Sequence, residues 1–237
     1  MFNLKRERQF DKVKLVYGSH GNRDDGLCAM EVVAYLAGES HSDHPDCACP
    51  VLTGYTIRMN DAMTDEWRQR LKPYLPLLIE SRDGREVERA ELLAWRAVQV
   101  FLPLAMDACQ LPDLAHRFRA RSGRLDRAAD AAYAAYGAAS GSSARSRAVN
   151  TGQACSMHAA RAAYAAHAAG AARAPHIGRA VEASDAADAA IALTRVLPAG
   201  EVWPLALEAL DAALEIGADA RAAQMEASRP AELVAGR

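Results

Sequence analysis

The sequence predicts an all-α helical bundle, and three observations carry that prediction. Residues 85–111, REVERAELLAWRAVQVFLPLAMDACQL, repeat apolar side chains at Leu92, Trp95, Val98, Leu102 and Met106, a three-to-four spacing that places them on one helical face. The second half is built from alanine-rich runs, and alanine has the highest helix propensity of all residues. The run VKLVYG, residues 13–18, is the single strand candidate of the first half; with no sheet to join, it should be an extended lead-in lying on helices.

The elements follow in order. A turn-rich loop, GSHGNRDDG, leads into LCAMEVVAYLA, residues 27–37, which is apolar nearly all round and so reads as a buried helix closed by Gly38 at C′. Pro50 suits the first turn of the next helix, about 51–62, where Val51, Tyr55 and Met59 stand at fourfold spacing. Thr64 can cap a short helix that Pro73 closes, and Tyr74 to Ile79 give another apolar turn. The helix over 85–111 should be the central one, kinked near Pro103. Beyond it the alanine-rich segments are separated by GSSARSRAVNTG, APHIG and LPAGEVWP. Their burial is expected to rest on Leu125, Tyr133, Tyr136, Tyr164, Ile191, Leu193, Trp203, Leu207, Leu210 and Leu214. The stretch QLPDL, 110–114, divides residues 1–111 from residues 112–237, as two helical subdomains or as parts of one continuous bundle.

Composition excludes more functions than it suggests. Half of the 237 residues are apolar, enough for a core without crosslinks. The net charge is −2 with acidic and basic residues interspersed, so no global field gathers nucleic acid or anionic lipid. Lys5, Arg6, Arg8, Lys12 and Lys14 form a short basic arm with no interleaved aromatics, which reads as a solvated terminus. The absence of a membrane-length apolar run or a signal-type segment points to the cytoplasm, where five cysteines, an odd number, argue for free thiols or metal ligands. No phosphate loop or dinucleotide fingerprint is present.

Chemistry concentrates in residues 26–51. Cys28 stands at a helix start, followed by His41, His44, Cys47 and Cys49 in the order H-x2-H-x2-C-x-C. These five are the candidate metal ligands, with zinc the metal that thiolates and imidazoles suit, although the spacing departs from the common C-x2-C and H-x3-H pairs. Two other readings stand beside that one. Cys28, Cys47 and Cys49 can be small buried hydrophobes, or Cys28 can be a nucleophile whose pKa the helix N-terminus lowers, served by His44 and Asp43 or by Asn60 and Asp61. Glu31 lies among Met30, Val32 and Val33, so it should be buried and must have a partner, an arginine or the loop backbone. In the second half His158, Arg161, Tyr164 and His167 recur every three residues, a row that winds round the helix and leaves only local pairs such as His158 with Arg161.

Residues 20–61, with their G-x-C-x-M-E helix, D-H-P-x-C-x-C-P loop and Asn60-Asp61 pair, resemble an uncharacterised family of helical proteins from actinobacteria and their phages. That resemblance implies a helical fold and supplies no mechanism. Residues 158–196 are similar to the alanine-rich helical part of immunity proteins, which implies a protein partner of the toxin kind. The leading functional expectation is a non-enzymatic protein-binding module. The competing one is a metal-binding or cysteine-dependent enzyme centred on Cys28, Glu31, His44, Cys47 and Cys49, and a third is a self-assembling structural protein whose alanine faces associate between chains.

Overall fold

The computed structural model describes Phe10 and residues 12–22, 26–172 and 179–219. Within them the chain is all-α. The lead-in VKLVYG forms one isolated parallel bridge, Leu15 to Leu27, and its buried Leu15 lies on the helices as expected. Most of the basic arm, the APHIG turn and the segment after Asp219 fall outside the described residues. Lys14 of the arm pairs with Asp65.

In the first half α1 spans Ala29–Ala37 and α2 Pro50–Ala62. The short α3, Asp65–Arg68, runs through a 3-10 turn, Gln69–Tyr74, into α4, Leu75–Leu78. Gly38 closes α1 in the left-handed conformation, φ 83°, donating to the carbonyls of Ala34 and Tyr35. Pro50 occupies the first turn of α2. Pro73 sits inside the 3-10 turn instead of ending a helix, and Thr64 holds the N-cap position of α3 without a side-chain bond.

The central helix is divided. α5, Glu86–Arg96, passes through a π-helical turn, Ala97–Phe101, into α6, Leu102–Ala108. The Leu102 amide reaches back five residues to the Ala97 carbonyl, so a π-turn stands immediately before Pro103, where a kink was expected. The inserted residue also shifts the helical phase. Val98, Leu102 and Met106 are fully buried, but ahead of the turn the inward side chains are Arg89, Ala90, Leu93 and Ala94, while Leu92 and Trp95 are half-buried.

α7, Pro112–Arg119, follows a tight junction at Gln110, φ 61°. Then come α8, Leu125–Ser140, α9, Ser146–Ala172, α10, Arg179–Leu193, and α11, Ala199–Glu215. Two expected separators are helical. SRAVNTG belongs to α9 because its small residues admit a close neighbour, not a bend: a Cβ at Gly152 would stand 2.5 Å from Cys109 Sγ and 3.0 Å from Ala139 Cβ. GEVWP opens α11 despite Pro204, since Val202 and Trp203 are buried there. The buried side chains form one connected core on both sides of residue 111, from Leu15 to Leu214.

Of the ten expected core carriers, Leu125, Leu193, Trp203, Leu207, Leu210 and Leu214 are buried and Ile191 is half-buried. Tyr133, Tyr136 and Tyr164 are exposed instead. Alanines occupy the interior they were expected to fill: Ala128, Ala129, Ala132, Ala135 and Ala139 of α8 meet Ala159, Ala160 and Ala163 of α9 in the same core. Helices packed through such small side chains leave no room between them for a phenol ring.

Arg89 fastens the two ends of this core. Its fully buried guanidinium makes a two-pronged ion pair with Asp83, at 2.7 Å on each arm, and donates to the carbonyls of Ser81, Ala213 and Ile216. The latter two carbonyls close α11.

Two of the helical glycines, Gly152 and Gly137, give a paired test. Gly152→Ala should lower stability by about 1–3 kcal/mol through overpacking, whereas Gly137→Ala, where an added Cβ meets nothing within 4 Å, should raise it by about 0.5–1 kcal/mol through helix propensity. Urea unfolding midpoints of the two variants would check both signs.

Candidate functional site

The polar centre of the first half is Glu31. Its neighbour Cys28 is the N-cap of α1, and the two form a capping box: the Glu31 carboxylate accepts from the Cys28 amide at 2.7 Å, and Cys28 Sγ accepts from the Glu31 amide at 3.4 Å. The same carboxylate, only 1% exposed, accepts from the His20 amide at 2.5 Å and from His20 Nδ1 at 2.9 Å. The partner is therefore the loop backbone, as expected, joined by an imidazole from GSHG. His41 Nε2 lies 3.6 Å from Glu31 and donates to the His20 carbonyl at 2.8 Å, which leaves its buried Nδ1 without a partner. Gly26, φ 115°, is needed where the loop returns, because a Cβ there would stand 2.7 Å from Val16 Cγ2.

Asn60 ties this centre to α2. Its Oδ1 accepts from the Ala29 amide at the start of α1, and its Nδ2 donates to the Val16 carbonyl and to Asp61. Asp61, exposed at the surface, accepts from the Gly18 amide. Asn60 and Asp61 thus hold the lead-in and its loop against two helices.

The rest of the candidate cluster lies elsewhere. His44 is exposed and pairs with its neighbour Asp43. The loop is shaped by Glu39, whose two carboxylate oxygens accept from the Asp46 and Cys47 amides. Cys49 is buried at the N-cap of α2, its amide on Ser81 Oγ and its sulfur beside the Arg89 guanidinium. Cys28, His41, His44, Cys47 and Cys49 do not bring three ligand atoms within 4.8 Å of one another. Among the described residues, the group that does is His158, Asp185 and Asp188, between α9 and α10. There His158 Nδ1 bonds Asp185 at 2.8 Å, and Asp188 accepts two bonds from Arg58 of α2. Each carboxylate already has a cationic or imidazole partner, so the group serves as a pin joining three helices. His158 therefore pairs across helices rather than with Arg161, and Tyr164 and His167 likewise reach Asp130 and Asp126 of α8.

Electrostatics decide what the centre can do. Burial alone would raise the Glu31 pKa, but the Cys28 and His20 amides and the His20 ring outweigh it and hold the carboxyl below the ordinary glutamate range. The Cys28 thiol moves the other way. Burial and the adjacent Glu31 carboxylate push it up to about 12, against the lowering expected of a helix N-terminus. That shift favours the thiol over the thiolate form. Burial likewise raises Cys47 to about 12, with Glu39 adding to the effect.

Comparison with protein-family models, with curated proteins and with solved structures gives no significant match. Sequence reasoning missed His20, Glu39, Ser81 and Arg89 as organisers of this region. A signal existed for the contact between Cys28 and Glu31, whose C-x-x-E spacing is that of a capping box with sulfur in place of a hydroxyl.

Two outcomes follow. Because the folded-state pKa of Glu31 is depressed, its contribution to stability is complete above the ordinary glutamate pKa and is lost as pH falls through the lower folded value. Glu31→Gln should cost about 2–4 kcal/mol at pH 7 and flatten the acid side of a stability-versus-pH profile measured by urea unfolding. Thiol labelling with a disulfide reagent at pH 7.5 should be slower than in urea by more than about tenfold for Cys28, Cys49 and Cys155, with half-buried Cys47 reacting first among the five.

Proposed function

We propose that this chain is a non-enzymatic protein-binding module. The observation that carries the reading is the outward placement of Tyr133, Tyr136 and Tyr164, which are 60%, 40% and 45% exposed on α8 and α9. α8 packs chiefly on α9, and Asp130, which accepts from Tyr164, lies one helical turn from Tyr133. Tyrosines offer large, stiff, amphipathic contact area with a polar tip, and for that reason they are enriched in protein recognition surfaces and among their hot spots. The burial of Cys28, which raises its thiol pKa, supports the same reading over a cysteine-dependent one.

Tyr164 falls inside the segment similar to immunity proteins, and a toxin-like partner would fit that resemblance. Among the described residues no helix is long and apolar enough to cross a membrane.

Immobilised protein, exposed to lysate from cells that naturally carry its gene, should retain a specific partner. Tyr133→Ser combined with Tyr136→Ser should weaken that retention by about tenfold or more, as loss of interface tyrosines does, while circular dichroism and urea midpoint stay near the parent's. Retention that is unchanged in the double variant would overturn the assignment to this face.

A further inference from the structure

The opposite flank of α8 carries a second feature. Between α7 and α8 lies a groove of about 260 Å³, lined by Leu114, Phe118, Ala131, Ala134, Ala135 and Ala138, with Arg117 and Arg121 at its edge. Its size is below the roughly 300–1,000 Å³ of small-molecule pockets, and it suits one large apolar side chain. Its lining combines apolar side chains with two arginines, and its surroundings are basic. Residues 113–127 hold Arg117, Arg119, Arg121, Arg124 and Arg127 against two acids, Asp113 and Asp126. Arg119 and Arg124 are neutralised by Asp107 and Asp126. Arg121 is aimed along the groove by its bond to the Arg127 carbonyl at 2.9 Å, its guanidinium 6.0 Å from the Phe118 ring centre. Arg117 is exposed and has no acidic partner among the described residues.

The geometry points to this groove as the docking site for an acidic, apolar-anchored segment of a partner protein: one leucine- or phenylalanine-sized side chain sits against the alanines, and flanking carboxylates face Arg117 and Arg121. The inference rests on the protein-binding reading and adds the chemistry of the partner. Charge complementarity selects the occupant. A single-stranded nucleic acid would use an aromatic platform for base stacking, and Phe118, the aromatic residue in the groove, is 1% exposed and cannot offer its face to a base.

The probe is a short fluorescein-labelled peptide of glutamates around a central Leu-Phe pair, titrated into the full chain at low salt and followed by fluorescence anisotropy. Saturable binding is expected, weakened about tenfold or more by Arg117→Glu and by Ala134→Trp, which fills the groove from an exposed helix position. It should also weaken when alanines replace the Leu-Phe pair or when salt is raised. Absence of saturable binding, equal binding by both variants, or preference for a labelled oligothymidine over the peptide would overturn the assignment. A protein that still captures a partner through Tyr133 and Tyr136 yet ignores the peptide would refute the groove alone. Loss of both activities would refute the protein-binding reading as well.

Discussion

Close helix packing through alanine is the constraint on which the second half of the molecule depends. An alanine buries little apolar area, so α8, α9 and α10 gain little per residue, and what they gain comes from short interaxial distances and many small contacts. The larger buried side chains come from neighbouring elements: Val98 and Phe101 of the π-turn, Leu102 and Met106 of α6, and Val202, Trp203, Leu210 and Leu214 of α11. A phenol cannot enter such a seam without forcing the helices apart. The tyrosines are therefore displaced to the surface, where the same rings become contact area for another molecule.

This explains which parts of the architecture were legible in the sequence. Helix propensity and capping residues were local signals, so the all-α class, the Gly38 stop, the Pro50 start and the lead-in at Leu15 could be read directly. Side-chain direction in the alanine-rich part was not local. Hydrophobicity ranks Tyr133 and Tyr136 above the alanines beside them, but distance between helices, a tertiary property, reverses that ranking. Gly152 misled for the same reason: it resembles a linker residue and is a contact residue.

The candidate site was legible to a similar depth. A carboxylate amid apolar neighbours announced a buried partner, and the Cys28-x-x-Glu31 spacing held the rest of the clue. The partners themselves, His20 and Asn60, come from different segments, and nothing in a linear pattern joins them. The histidines and cysteines of the 41–49 loop looked like one group because they are near in sequence. Glu39 shapes that loop through backbone amides, which sends His44 outward and Cys49 toward Arg89.

Arg89 has a consequence for the order in which the chain acquires its structure. Two of the carbonyls that satisfy it, on Ala213 and Ile216, lie more than 120 positions further along. During synthesis the guanidinium emerges long before they do, and burying it early would strand donors in an apolar interior. Asp83 and the Ser81 carbonyl can hold part of the guanidinium from the start, and its remaining donors are satisfied only once α11 is in place.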